Sequence, residues 1–145
     1  MVAPLKVGIA GLGTVGAEVV RLIETQARVL AGRSGRGIRV VAVTARSKAK
    51  KRGIDLRGIE WARDPMALAT HPGIDCFVEL MGGAGDPALS AVEAALNAGK
   101  SVVTANKALL AKHGLKLAKA AEKHGGALNF EARSEERFSR NAETA

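Results

Sequence analysis

The feature that most constrains this chain is a glycine turn set between a short strand and a long amphipathic stretch. Lys6-Val-Gly-Ile-Ala10 is apolar, brief and flanked by glycine, the marks of a buried strand. Gly11-Leu-Gly13-Thr-Val-Gly16 follows, in Gly-x-Gly-x-x-Gly spacing. Val15, Val19, Leu22, Ile23, Gln26, Val29 and Leu30 then recur at three- and four-residue steps, one face of a helix, until Gly32 to Gly37 breaks the pattern. In such a unit Gly11 permits the tight turn, and Gly13 lets backbone approach a pyrophosphate. Gly16 lets helix and strand pack closely, and the helix N-terminus supplies N–H donors and positive potential. Glycine turns alone are common; it is the strand before and the helix after that point to dinucleotide binding.

The remaining chain alternates in the same way. Ile38 to Ala45 is rich in β-branched residues and reads as a second strand. Asp75 to Met81, Ser101 to Thr104 and Ala127 to Ala132 read as three more. Helices fall between them. Asp64-Pro65 and Asp86-Pro87 are expected to be the same device, with Asp as cap and Pro at the first helical position. Leu89, Val92 and Leu96 mark one helix face. Leu110, Leu117, Ala120, Ala121 and His124 mark another, in a helix over 106–124. Alternation of this kind predicts an α/β fold, a doubly wound parallel sheet with helices on both faces, in a single domain over 1–132.

Composition removes several classes. The 145 residues contain one cysteine, Cys76, so no internal disulfide forms; Cys76 sits in a strand and reads as a small core residue. His71, His113 and His124 form no metal-ligand pattern, lie near helix ends and are expected to be exposed, so no metal site is expected. No apolar run approaches a membrane span. The opening residues do not read as a signal peptide, and a reducing, cytoplasmic setting is the expectation.

The net charge of +8 is unevenly placed: residues 1–63 carry 13 Lys and Arg against 4 Asp and Glu, and no acid occurs from Thr25 to Ile54. Such a field favours a polyanion. An NAD site usually ends its second strand in Asp or Glu, which holds the adenosine ribose. Here the second strand runs into Arg46-Ser47-Lys48. Two cations and a hydroxyl attract a 2′-phosphate where an acid would repel it, so NADP is expected over NAD, with NAD possible. A solvated basic loop is the plainer alternative. With no Tyr, and no aromatic close in sequence to 46–52, a nucleic-acid surface is not expected.

Two further stretches follow strands at the edge where such sheets bind ligands. Gly82-Gly83 either admits the cofactor or is a plain turn. Thr104-Ala105-Asn106-Lys107 places Asn106 as a helix cap and Lys107 in the first helical turn. The macrodipole disfavours a cation there and would make the amine a better acid/base near neutral pH, although most lysines are simply solvated.

Taken together, Val7 to Gly16, Glu79-Leu-Met-Gly-Gly83, Val102-Val-Thr-Ala-Asn-Lys-Ala-Leu-Leu110 and Asn129-Phe-Glu-Ala132 resemble the nucleotide-binding region of homoserine dehydrogenase. The resemblance spans about residues 5–132, and its Thr-Ala-Asn-Lys stretch is far more specific than its glycines. It implies a Rossmann domain serving NAD(P)-dependent interconversion of homoserine and aspartate semialdehyde, toward threonine and methionine. It places the cofactor turn on Gly11, Gly13, Thr14, Val15 and Gly16, nicotinamide-side contacts near Gly82, Thr104 and Asn106, and the catalytic lysine on Lys107.

The resemblance stops where the family continues into a substrate and dimerisation domain. Arg133 to Ala145 carries one large apolar residue, Phe138, and is expected to be loose. The expectation is nucleotide binding without catalysis by these residues alone, a small amino-acid substrate being held only where that further domain is present. A non-catalytic NAD(P)-binding module and another Rossmann dehydrogenase, acting on a small aldehyde or imine, are the rival readings. Oligomeric state is not legible.

Overall fold

The structure, a computed structural model, describes residues 3–26, 29, 32, 35–48 and 53–130. Its elements in chain order are β1 (Leu5–Ala10), α1 (Thr14–Thr25), β2 (Ile38–Thr44), β3 (Glu60–Trp61), α2 (Pro65–Ala69), β4 (Cys76–Glu79), α3 (Ala88–Asn97), β5 (Ser101–Thr104), α4 (Lys107–His124) and β6 (Leu128–Phe130). The six strands form one sheet in the order β3-β2-β1-β4-β5-β6, and every neighbouring pair is parallel. This is the doubly wound arrangement expected from the alternation.

The order reverses at β1. Parallel crossovers are right-handed, so helices on the two sides of the reversal fall on opposite faces of the sheet. Alternation along β1 then feeds two separate cores. Val7 and Ile9 face α1 and pack with Leu12, Val20, Val40 and Val43. Ala10 faces the other way, where Phe77 and Val102 meet Leu68 of α2, Leu96 of α3, and Leu109 and Leu117 of α4.

Several expectations change. β3 was not legible: it is two residues long, at the sheet edge, and one of the two is Glu60. α1 ends at Thr25, and it buries Gly16, Ala17 and Val20; Val15 and Leu22 of the expected apolar face stay exposed. The physical reason is close approach. Small residues bring the helix axis down onto the sheet, and hydrophobic periodicity does not mark small residues. Val29 is exposed too, and Leu30 lies outside the described residues. β4 is shorter than the Asp75–Met81 run: the Leu80 amide still bonds to the Ala10 carbonyl, but the Met81 and Gly82 amides turn to the Glu79 carboxylate.

The two Asp-Pro pairs are different devices. Asp64 caps α2, accepting from the Ala67 amide at 2.7 Å, with Pro65 in the first turn. That amide, with Arg63 assisting, holds the Asp64 carboxyl below the usual carboxylate range. Pro87 instead stands just outside α3, and Asp86 reaches past it to accept from the Ser90 amide at 2.9 Å. In α4, Leu117 and Ala121 are buried as expected, but Leu109 rather than Leu110 completes the buried face; His124 lies off that face and is exposed, as expected of the histidines. His71 is not exposed: its side chain is 20% accessible, Nε2 meets Glu60 at 2.7 Å, and Nδ1 accepts from the Gly73 amide. Cys76 is buried, and burial, with Asp75 adding to it, pushes its thiol up to about 11. Residues 49–52 of the basic segment and the tail from Glu131 onward lie outside the described residues.

Leu109→Ala is expected to lower unfolding free energy by about 2–5 kcal/mol, and Leu110→Ala by well under half of that, because only Leu109 leaves a cavity in a sealed core. Urea denaturation midpoints of the two variants check it.

Candidate functional site

The parallel register aligns the strand ends. Thr44 pairs with Ala10, Ala10 with Glu79, and Glu79 with Thr104, so four buried residues form one row across the sheet. Beyond that row lie the glycine turn, the Arg46-Ser47-Lys48 segment, Gly82-Gly83 and Asn106-Lys107. The structure therefore brings all four sequence-predicted groups to one edge, around the reversal between β1 and β4.

The glycine turn is built as its spacing demands. Gly11 has φ of +103°, and a Cβ there would sit 2.7 Å from the Leu80 carbonyl oxygen. A Cβ on Gly16 would run into the Gly11 carbonyl oxygen. These two glycines serve the protein's own packing. Gly13 differs: a Cβ there would meet no atom within 4 Å, so nothing in the fold asks for glycine at that position. Gly13 is also the cap of α1 and makes no side-chain cap bond, which leaves the first-turn amides of Thr14 and Val15 toward the turn. An open, side-chain-free cradle at a helix N-terminus suits a phosphate group.

Across the reversal, a closed set of hydrogen bonds ties two loops together. Thr104 Oγ1 donates to Glu79 Oε1 at 2.6 Å, and the Met81 and Gly82 amides donate to Glu79 Oε2 at 2.7 and 3.0 Å. The Asn106 amide donates to Thr104 Oγ1 at 2.9 Å. Asn106 then does two jobs: Oδ1 accepts from the Leu109 amide, capping α4, and Nδ2 donates to the Gly83 carbonyl at 2.7 Å. Gly82 and Gly83 have φ of +85° and +86°, a conformation that side-chain-bearing residues rarely adopt. The plain-turn requirement for glycine is thus real, and Gly82 also lines the neighbouring cleft. That cleft, about 160 Å³, is lined by Val15, Glu79, Met81, Gly82, Ala105 and Asn106.

Lys107 opens α4 next to this ring of bonds and is exposed. Arg46, Ser47 and Lys48 are exposed beyond the end of β2, and Lys48 Nζ stands 5.7 Å from the centre of the Trp61 ring. An aromatic does therefore lie near this basic segment, brought there by β3 rather than by sequence proximity. Glu79 lines the cleft and was not singled out as a site member from the sequence. The available signal was a carboxylate closing an otherwise apolar strand. Among the described residues no group of three or more His, Cys, Asp or Glu could hold a metal, and no helix is long and apolar enough to cross a membrane.

Comparison with known proteins agrees with this geometry. A family model described as "Homoserine dehydrogenase, NAD binding domain" matches residues 11–131. The homoserine dehydrogenase of Pseudomonas aeruginosa is 42% identical over 132 residues, covering 89% of this chain and 29% of the relative. A crystal structure of S. aureus homoserine dehydrogenase superposes with a TM-score of 0.81 at 35% identity, over 91% of this chain and 33% of that one. A Synechocystis biliverdin reductase, solved in complex with biliverdin and NADP+, gives 0.70 at 26% identity over 88% of this chain and 38% of that one. The chain thus spans under a third of the length of the Pseudomonas relative.

Gly13→Ala is expected to keep the fold, within about 1 kcal/mol as a helix cap change, while weakening nucleotide binding about tenfold or more. Gly16→Ala is expected to cost about 2–3 kcal/mol of stability through overpacking. Thermal unfolding and calorimetric nucleotide titration of both variants separate the two roles.

Proposed function

The chain belongs to the family of homoserine dehydrogenase NAD-binding domains, and from that premise we propose that residues 1–132 are the NADP(H)-binding unit of an oxidoreductase interconverting homoserine and aspartate semialdehyde. That reaction belongs to aspartate-derived amino-acid synthesis, toward threonine and methionine. The observation that carries the reading is the convergence, at one sheet edge, of the open Gly13 cradle and the hydrogen-bonded ring of Glu79, Thr104 and Asn106.

The residues divide the work by position. The turn from Gly11 to Gly16, with Thr14 and Val15, takes the pyrophosphate on backbone amides at the N-terminus of α1. Arg46, Ser47 and Lys48 take the adenosine 2′-phosphate. The bound Synechocystis relative, whose ligand is NADP+, is consistent with that choice. Gly82, Gly83, Thr104 and Asn106 frame the nicotinamide end. When bound, the cofactor supplies hydride transfer, and this chain's part is to hold the ring, exclude water behind it and manage the proton. Lys107 Nζ takes the hydroxyl proton of homoserine in the oxidative direction and returns a proton to the carbonyl oxygen in the reductive one. Positioning supplies much of the rate in such a step. These 145 residues by themselves are expected to bind nucleotide without turning over homoserine.

Calorimetry with NADPH and NADH tests the cofactor assignment. NADPH is expected to bind more tightly by about 1–3 kcal/mol, most clearly at low salt, as charge-assisted hydrogen bonds to one phosphate would give. Equal affinities would remove Arg46, Ser47 and Lys48 from the site.

The proton role is tested in a full-length relative carrying the same Ala-Asn-Lys stretch. Replacing the lysine that matches Lys107 by Ala is expected to lower NADPH formation from homoserine strongly and cofactor affinity little. Unchanged turnover would return Lys107 to the solvated surface, and turnover by the 145-residue chain alone would refute the need for further substrate-binding groups.

A further inference from the structure

We propose that Glu79 sets the redox preference of the nucleotide site: its buried carboxylate favours the oxidised, positively charged nicotinamide ring over the reduced, neutral one. This inference rests on the reading of the cleft between Val15 and Asn106 as the nicotinamide site.

Glu79 has no solvent exposure. Removing a carboxylate from water is costly unless a cation or a full set of hydrogen bonds replaces the water. Among the described residues no lysine, arginine or histidine forms an ion pair with it. Its replacement for water is three neutral donors, the Thr104 hydroxyl and the Met81 and Gly82 amides. As a carboxylate it accepts from all three. The fold thus keeps under cover a negative charge that no cation among the described residues pairs with, at the end of β4 and in the wall of the cleft.

Tying the loops together does not require that charge. A neutral amide of the same shape can accept from the two backbone amides through its oxygen and meet the Thr104 hydroxyl with its nitrogen. What the carboxylate adds is a field, strong because water is excluded around it. The oxidised nicotinamide ring carries a unit positive charge and the reduced ring carries none. A fixed anion in the wall of their shared site therefore acts on one redox form and barely on the other. The remainder of the chain pulls the opposite way: at a net charge of +8 it attracts the reduced dinucleotide, which has one more negative charge overall. A local effect of Glu79 is separable from that background, because substitution at one buried position leaves the background nearly unchanged.

The test is calorimetric titration of the 145-residue chain and its Glu79→Gln and Glu79→Asp variants with NADP+ and NADPH. Glu79→Gln is expected to weaken NADP+ binding about tenfold while NADPH affinity moves by about twofold or less. Glu79→Asp keeps the charge and is expected to hold the ratio of the two affinities even where both fall. A residue that only braced the loops would weaken both cofactors together in Glu79→Gln, and that result, or no change at all, overturns the proposal. If circular dichroism shows that Glu79→Gln does not fold, the wild-type ratio decides. NADP+ bound at least as tightly as NADPH, against the pull of the basic chain, supports the proposal, and tighter NADPH overturns it. Absence of binding by either cofactor to the wild-type chain sinks the reading of the cleft itself, whereas binding with a ratio insensitive to Glu79→Gln sinks only this inference.

Discussion

A parallel sheet sends every strand end to the same edge, and much in this molecule depends on that constraint. Thr44, Ala10, Glu79 and Thr104 are far apart in the chain yet stand in one paired row, because their strands run in one direction and in matched register. Each strand must then leave the row through a loop, and those loops carry the chemistry-bearing residues. Where the winding reverses, between β1 and β4, the departing loops diverge to opposite faces and open a cleft. The site is thus a consequence of topology before it is a matter of particular side chains.

Two kinds of glycine serve that edge. Gly11 and Gly16 answer to the protein's own backbone: the first has a positive φ and presses on Leu80, and the second packs against the Gly11 carbonyl. Gly13 answers to nothing inside the fold. Its open surroundings leave room at the N-terminus of α1 for the phosphate group proposed there. Gly82 and Gly83 are conformationally required by their φ values, and Gly82 also lines the cleft.

The other wall is held by hydrogen bonds rather than by apolar contact. Glu79, Thr104 and Asn106 link the loop after β4 to the start of α4, so Lys107 begins a helix whose cap is bonded to the Gly83 carbonyl. A displacement of one loop would break bonds to the other. Polar networks of this kind fix geometry well when every member is satisfied. Among the described residues the Glu79 carboxylate is satisfied by neutral donors only, the feature on which the proposed preference for the oxidised ring rests.

Sequence alone determined the fold class and the location of the edge groups. A strand, glycines at fixed spacing and a helix can be read locally, because each depends on neighbours a few residues apart. The repeated alternation that follows implies parallel strands, and the Thr-Ala-Asn-Lys stretch pointed to a family. Only the tertiary structure decided the rest. It showed that α1 buries Gly16, Ala17 and Val20, because close approach selects small residues that periodicity overlooks. It selected Leu109 over Leu110, since the exact roll of α4 is set by contact with α3 and the sheet. It revealed β3 and, through it, Trp61 beside Lys48. Above all, it turned Glu79 from one polar residue in an apolar run into a sealed carboxylate in the wall of the cleft, because burial and partners are properties of the pairing between strands and cannot be read from either strand by itself.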